Sequence, residues 1–291
     1  MTACCCLFSL AGKSLAQDNK LLQSQLETTY GTWRNAMIKK DPRAWSQTTA
    51  THRQLHIKNR ILSEKRAFPS AVFEVPASPP AIDNLKALRV TQNGATATAV
   101  YFGKVDFGVG GQPTDNLLLL HFLNERGSWK YDTADYINLG ALPEIRKKLQ
   151  AGDYSYVQHE DFKASGKTPE MPITVKGAQY IAKVYVFCPG REVKVKVNRI
   201  SDHRFQDTKQ AEVIIGGAKA GRNDLQFATK LLEGAKGTEP LSIRVYLMST
   251  VPGVKPVKIY EYQVADKGEV KAYGSGTFVI DNKVHNQLLG R

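Results

Sequence analysis

Leu85-Lys86-Ala87-Leu88-Arg89-Val90-Thr91-Gln92-Asn93-Gly94-Ala95-Thr96-Ala97-Thr98-Ala99-Val100-Tyr101-Phe102 is the stretch on which the fold turns. Side chains alternate in period two on both sides of Asn93-Gly94, and Asn-Gly between two such runs is the strongest short-range hairpin signal. A Gly-rich loop from Gly108 to Thr114 then leads to Asn116-Leu117-Leu118-Leu119-Leu120-His121-Phe122-Leu123. After a turn at Asn124 to Gly127 comes Ser128-Trp129-Lys130-Tyr131-Asp132. These runs predict a meander of four antiparallel strands. Its Leu-rich strand is apolar on both faces, so it is central and covered by helices.

Upstream the rhythm is helical. Leu22, Leu26, Tyr30, Trp33 and Met37 recur at spacings of four, four, three and four, one apolar stripe on a helix of about 20 residues. Lys39-Lys40-Asp41-Pro42 ends it, and Asp41 with Pro42 suits the cap and first turn of a second helix. That helix runs through Trp45 to about Lys65, with a break near Thr49 to Thr51.

A long helix with an aromatic stripe, a helical segment opening Asp41-Pro42-Arg43-Ala44-Trp45, and a meander whose last strand carries Gly127-Ser128-Trp129-Lys130-Tyr131-Asp132 together resemble the nuclear-transport-factor-2-like, or cystatin-like, α+β cone. The resemblance covers about Asp18 to Leu139. It implies helices packed on a curved antiparallel sheet. Families with this cone include ketosteroid-isomerase-like and polyketide-cyclase-like enzymes as well as noncatalytic binding domains, so the fold does not choose a function.

Ala141 to Gln150 reads as one more short helix and the polar stretch Ala151 to Pro172 as a linker. Beyond it come short alternating runs: Tyr180 to Cys188, Glu192 to Asn198, Ala211 to Ile215, Leu241 to Met248, Val257 to Val264 and Gly276 to Ile280. Frequent Gly and Pro turns separate them, which predicts a β-sandwich. Asp224 to Glu233 is the one helical candidate there. Strand count resembles immunoglobulin-like or C2-like sandwiches, without the paired Cys and buried Trp of antibody domains. The expected plan is α+β: a signal segment at 1–16, the cone at 17–150, the linker at 151–172 and the sandwich at 173–285.

The 291 residues, 42% hydrophobic and 23% charged, suffice for two cores and exclude collagen-like, disordered and polytopic membrane classes. The opening apolar run, closing on Ser14-Leu15-Ala16, has the pattern of an export signal cut after Ala16, which places the chain in the periplasm or outside the cell. The basic residues that normally precede such a run are missing; either a start further upstream supplies them or the segment is a buried N-terminal strand. A rival reading takes Thr2-Ala3-Cys4 as a lipoprotein signal, but nothing apolar precedes it. Cys4, Cys5 and Cys6 lie in the removable segment, which leaves Cys188 alone, on the inward face of Val184 and Val186.

Net charge is +13, divided as +5 over Asp18 to Ser155 and +7 over Tyr156 to Arg291, with Lys13 the remainder. No run of five basic residues occurs and no nucleic-acid motif is present, so a solvated basic surface is favoured over a polyanion groove.

His52 and His56 stand four apart on a helix face, yet no third ligand is at hand, and scattered aspartates do not suit calcium. Phosphate-loop and nucleophile-elbow patterns fail at Gly12-Lys13-Ser14, Gly108 to Gly111 and Ser275. A cone enzyme, an isomerase or hydratase, would use His121 or Asp106 to abstract a proton while Tyr30 or Tyr101 stabilises the oxyanion. The competing reading makes His121 a hydrogen-bonded core histidine and the tyrosines packing residues. The favoured expectation is an exported noncatalytic binding or assembly protein of the cell envelope, without cofactor or metal. Its surface candidates are Tyr185, Phe187, Lys194, Lys196 and Tyr246, and its partner is a protein or an anionic glycan. Cationic binding of glycan or nucleic acid is the third alternative, with nucleic acid the less favoured.

Overall fold

The computed structural model describes residues 8–108 and 112–291, with side chains from residue 19 onward. Among the described residues, five helices and three antiparallel sheets of four strands give an α+β architecture. Residues 1–7, with Cys4 to Cys6 and the start of the expected export signal, lie outside the described residues, as do residues 109–111 of the expected Gly-rich loop. The chain divides into two compact units: residues 1–54 with 72–171, and residues 55–71 with 172–291.

In the first unit, α1 (Phe8–Lys39) is followed by α2 (Pro42–Thr48), opened by Asp41. The Asp41 carboxylate accepts the amides of Arg43 at 2.9 Å and Ala44 at 3.1 Å, satisfying donors that a helix start leaves bare. After the break at Thr49 and Ala50, α3 (Thr51–Ser63) begins, its first amide held by Glu125 at 2.7 Å. The boundary between units falls inside α3.

The meander comprises β1 (Lys86–Asn93), β2 (Thr96–Val105), β3 (Thr114–Glu125) and β4 (Ser128–Asn138), in that spatial order. Gly94 turns the first hairpin at φ +54°, a conformation that suits glycine. On one sheet face Leu22, Leu26 and Tyr30 of α1 pack against Ala97, Ala99, Leu118, Leu120 and Phe122. On the other, Val100, Leu117 and Leu119 meet Leu139, Leu149 of α4 (Pro143–Gln150), Val157 and Phe162. β3 is thus buried on both faces, which is why its sequence does not alternate. Val157 and Phe162 come from the stretch read as a linker; their apolar side chains are buried here.

In the second unit, β5 (Ile181–Phe187), β8 (Lys209–Val213), β10 (Leu241–Met248) and β11 (Val257–Val264) form a sheet ordered β11-β10-β5-β8. A second sheet, β12-β9-β6-β7, contains β6 (Arg191–Val197), β7 (Ser201–Gln206), β9 (Gly221–Leu231) and β12 (Tyr273–Ile280). Inward side chains of both sheets, Val184, Val186, Val193, Val195, Ile243 and Val245 among them, join in one core with Cys188. Cys188 is fully buried and burial pushes its thiol pKa up. A short helix, α5 (Asn282–Leu288), follows β12.

The helix expected at Asp224 to Glu233 is instead β9. Asn223, Leu225 and Phe227 point inward while Asp224 and Gln226 point out, so the same letters serve a period of two. Glycine lets β12 lie close to the core. A Cβ on Gly274 would stand 2.2 Å from the Phe227 ring, and one on Gly276 2.2 Å from Tyr260.

Candidate functional site

Of the four side chains expected to serve a cone enzyme, only two share a face. Tyr30 of α1 and Tyr101 of β2 enter the same cluster. The Tyr30 hydroxyl donates to the Pro80 carbonyl at 2.8 Å and Tyr101 to Glu27 Oε1 at 3.2 Å. Rings fill the space beside them. Trp33 and Tyr131 have centroids 4.0 Å apart, and Tyr30 lies 5.6 and 5.4 Å from them. Burial pushes the Tyr30, Tyr101 and Tyr131 phenols well above their ordinary range, and the Glu27 carboxylate adds to the rise at Tyr101. These groups remain neutral hydrogen-bond donors at any physiological pH.

His121 projects from the opposite sheet face, the face of Leu117 and Leu119. Its Nδ1 meets Thr98 Oγ1 and its Nε2 meets Asp135 Oδ2, each at 3.1 Å. The sheet therefore separates His121 from both tyrosines. Asp106, just beyond β2, is exposed and accepts the Gly108 amide at 2.8 Å. The four candidates do not converge. Nor do the helix histidines: His52 is buried with its Nε2 3.0 Å from Asp132, whereas His56 is exposed. Among the described residues no group of three or more His, Cys, Asp or Glu is placed to hold a metal.

A further histidine, which no local sequence pattern singles out, stands in the second unit. On β7, Ser201 and His203 stand two apart on one strand face, and His203 Nε2 lies 2.7 Å from Ser201 Oγ. His203 Nδ1 lies 2.7 Å from Glu212 Oε2 on β8. Hydroxyl, imidazole and carboxylate stand in the order of a nucleophilic triad. The surroundings differ from those of a working one. Ser201 is 1% exposed, and its oxygen also accepts the Ile215 amide at 2.7 Å. A nearby cleft of about 610 Å³ is lined by His203 and Glu212 but not by Ser201. Here the chain of hydrogen bonds joins the edge strands of the two sheets.

The surface candidates fall on two outer faces. Tyr185 and Phe187 on β5 and Tyr246 on β10 are half-buried on the β11-β10-β5-β8 sheet, where Arg244 lies 5.9 Å from the Tyr185 ring centre. Lys194 and Lys196 stand on the outer face of the other sheet.

That second face is concave. Inward alternation of Val193, Val195 and Val197 sends Lys194 and Lys196 outward, and the same rule exposes Asp202 and Arg204, Gln226, and Tyr273 and Ser275. Together they line a groove of about 830 Å³. A neighbouring hollow of about 520 Å³ adds Arg199 and Arg222 and shares Lys196, Gln226 and Ser275 with the first, so the two adjoin on one sheet face. Tyr273, 79% exposed, stands in its wall. Ion pairs hold the basic side chains: Lys196 with Asp202 and Arg222 with Asp224, each at 3.2 Å. Glu192 takes both Arg204 at 2.5 Å and Lys194 at 3.6 Å. The Arg204 hydrogen bond keeps the Glu192 carboxyl below its usual range.

Compared with known proteins, the chain matches no family model, no curated protein and no solved structure.

Proposed function

We propose that the chain is an exported, noncatalytic binding protein whose ligand lies on the outer face of the β12-β9-β6-β7 sheet. One observation carries this reading: the adjoining hollows there combine basic side chains, hydrogen-bonding Gln226 and Ser275, and the solvent-facing ring of Tyr273. The packed rings around Tyr30 leave the helix face of the first unit filled, which favours a binding role over an isomerase or hydratase. Helices followed by a β1-β2-β3-β4 meander support the nuclear-transport-factor-2-like cone as the kind of fold in the first unit. The two stacked sheets of the second support a sandwich.

Export rests on the apolar run ending Ser14-Leu15-Ala16. A cut after Ala16 retains Leu22, Leu26, Tyr30, Ala36 and Met37, the buried apolar side chains described on α1. N-terminal mass analysis of the native protein tests this, with Gln17 the expected first residue and an intact start the result that removes it. The binding face is tested by lysine acetylation footprinting of the full chain with and without a soluble cell-envelope extract. Slower labelling at Lys194 and Lys196 is expected. Unchanged labelling there, with protection elsewhere, would overturn the assignment.

A further inference from the structure

We infer that the ligand of this groove is an acidic polysaccharide, a chain of sugars carrying carboxylates among its hydroxyls; the inference rests on the binding reading above. Charge comes first. Lys194, Lys196, Arg199, Arg204 and Arg222 face Glu192, Asp202 and Asp224 over the groove and its rim, so cations are in excess but do not stand alone. A nucleic acid presents a phosphate at every residue, and three carboxylates interleaved with the cations would repel it. A polymer with fewer charges and many hydroxyls meets each group with a complement: its carboxylates bond to Lys or Arg, and its hydroxyls donate to Asp and Glu.

Aromatic supply points the same way. Single-stranded nucleic acid is held by a succession of rings on which bases stack. Of the two aromatic residues lining the groove, Phe227 is buried in the core and Tyr273 is exposed, and one exposed ring suits the apolar face of a single sugar. Shape agrees: the two hollows follow the strands, from Ala228 past Gln226 to Arg222 on β9, six residue rises or about 20 Å, on the solvent face of the sheet as a polymer requires. Lys196, Gln226 and Ser275, common to both hollows, mark the middle.

The test is calorimetric titration of the full chain with an oligouronate, a neutral oligosaccharide of equal length and a single-stranded oligonucleotide, at about 20 mM and about 200 mM salt. The oligouronate is expected to bind, to weaken severalfold with salt, to lose about tenfold in affinity in Lys196→Glu, and to weaken in Tyr273→Ala. Both positions are surface-exposed, and circular dichroism confirms that the variants fold. No oligouronate binding, or binding indifferent to both substitutions, overturns the inference. If the neutral sugar binds as well as the uronate and Tyr273→Ala weakens both, the face is a binding face but its ligand is not acidic. An oligonucleotide that binds more tightly than the uronate and responds to Lys196→Glu makes the ligand a nucleic acid instead.

Discussion

Each unit holds a histidine between a hydroxyl and a carboxylate, yet the two settings differ. In the first unit Thr98, His121 and Asp135 are linked at 3.1 Å, with the imidazole 27% and the carboxylate 72% exposed. In the second, Ser201, His203 and Glu212 are linked at 2.7 Å, with the imidazole 3% exposed and Ser201 accepting a further amide. The first unit places its relay near water and its buried polar groups elsewhere, as phenols under α1. The second buries the relay itself. A hydroxyl–imidazole–carboxylate order therefore marks how neighbouring strands satisfy a histidine; it becomes a catalytic signature only where the hydroxyl is open to a substrate.

Alkali should separate the units most. Unfolded phenols ionise near pH 10, while burial keeps Tyr30, Tyr101 and Tyr131 protonated well above that. The folded state then holds protons that the unfolded state releases. Stability is full below about pH 10 and falls above it, by up to about 1.4 kcal/mol per pH unit for each phenol. All three tryptophans, Trp33, Trp45 and Trp129, belong to the first unit, so their fluorescence reports it alone. A loss of folded Trp signal between pH 10 and 12 is expected, before exchange protection at Val193 and Val195 is lost. Simultaneous loss would refute the contrast.

His203→Ala comes next. It opens a cavity and takes the imidazole away from both Ser201 and Glu212, costing about 3 kcal/mol. His121→Ala, at a partly wet site, should cost about 1 kcal/mol. Urea unfolding followed by hydrogen exchange in each unit measures both. Equal costs would erase the distinction drawn from burial.

Much of the first unit was legible because helix and strand rhythms differ so plainly on either side of residue 85, and because Asn93-Gly94 and Asp41-Pro42 encode a turn and a cap through local chemistry alone. What lay beyond reach depended on pairing across strands. Ser201 and His203 are readable as neighbours on a strand face, but Glu212 joins them only because the chain crosses from one sheet to the other after Gln206. The groove was half visible in Lys194 and Lys196; Tyr273 and Arg222 reach it through the β12-β9-β6 order, which no local pattern announces. Alternation reports inward or outward but not which sheet, so the sequence sets Tyr185, Phe187 and Tyr246 beside the lysines although they stand on the other sheet. His121 and Tyr101 lie on neighbouring strands of one sheet but on opposite faces, and a strand's own alternation does not report which of its faces a neighbour's residue shares.

The matched hydroxyl variants give smaller effects. Ser201→Ala removes the partner of both His203 and the Ile215 amide at a position 1% exposed, so about 2 kcal/mol is expected. Thr98→Val preserves volume and breaks one contact, to an imidazole that also reaches solvent, so the cost should stay below about 1 kcal/mol.

The smallest effect sharpens the comparison furthest. Asp135→Asn keeps the shape of the side chain and an acceptor oxygen for His121 while removing the charge. With the carboxylate 72% exposed, water screens its attraction to the imidazole, so the expected change is below about 0.5 kcal/mol. Glu212→Gln makes the same exchange where the carboxylate is 34% and the imidazole 3% exposed, so its cost should exceed that of Asp135→Asn by about 1 kcal/mol. Hydrogen exchange at β3 and β7 amides in the two variants supplies both numbers under one condition. A larger loss from Asp135→Asn would mean that the carboxylate at the surface holds its histidine more firmly than the shielded one, and burial would no longer explain why the two relays differ.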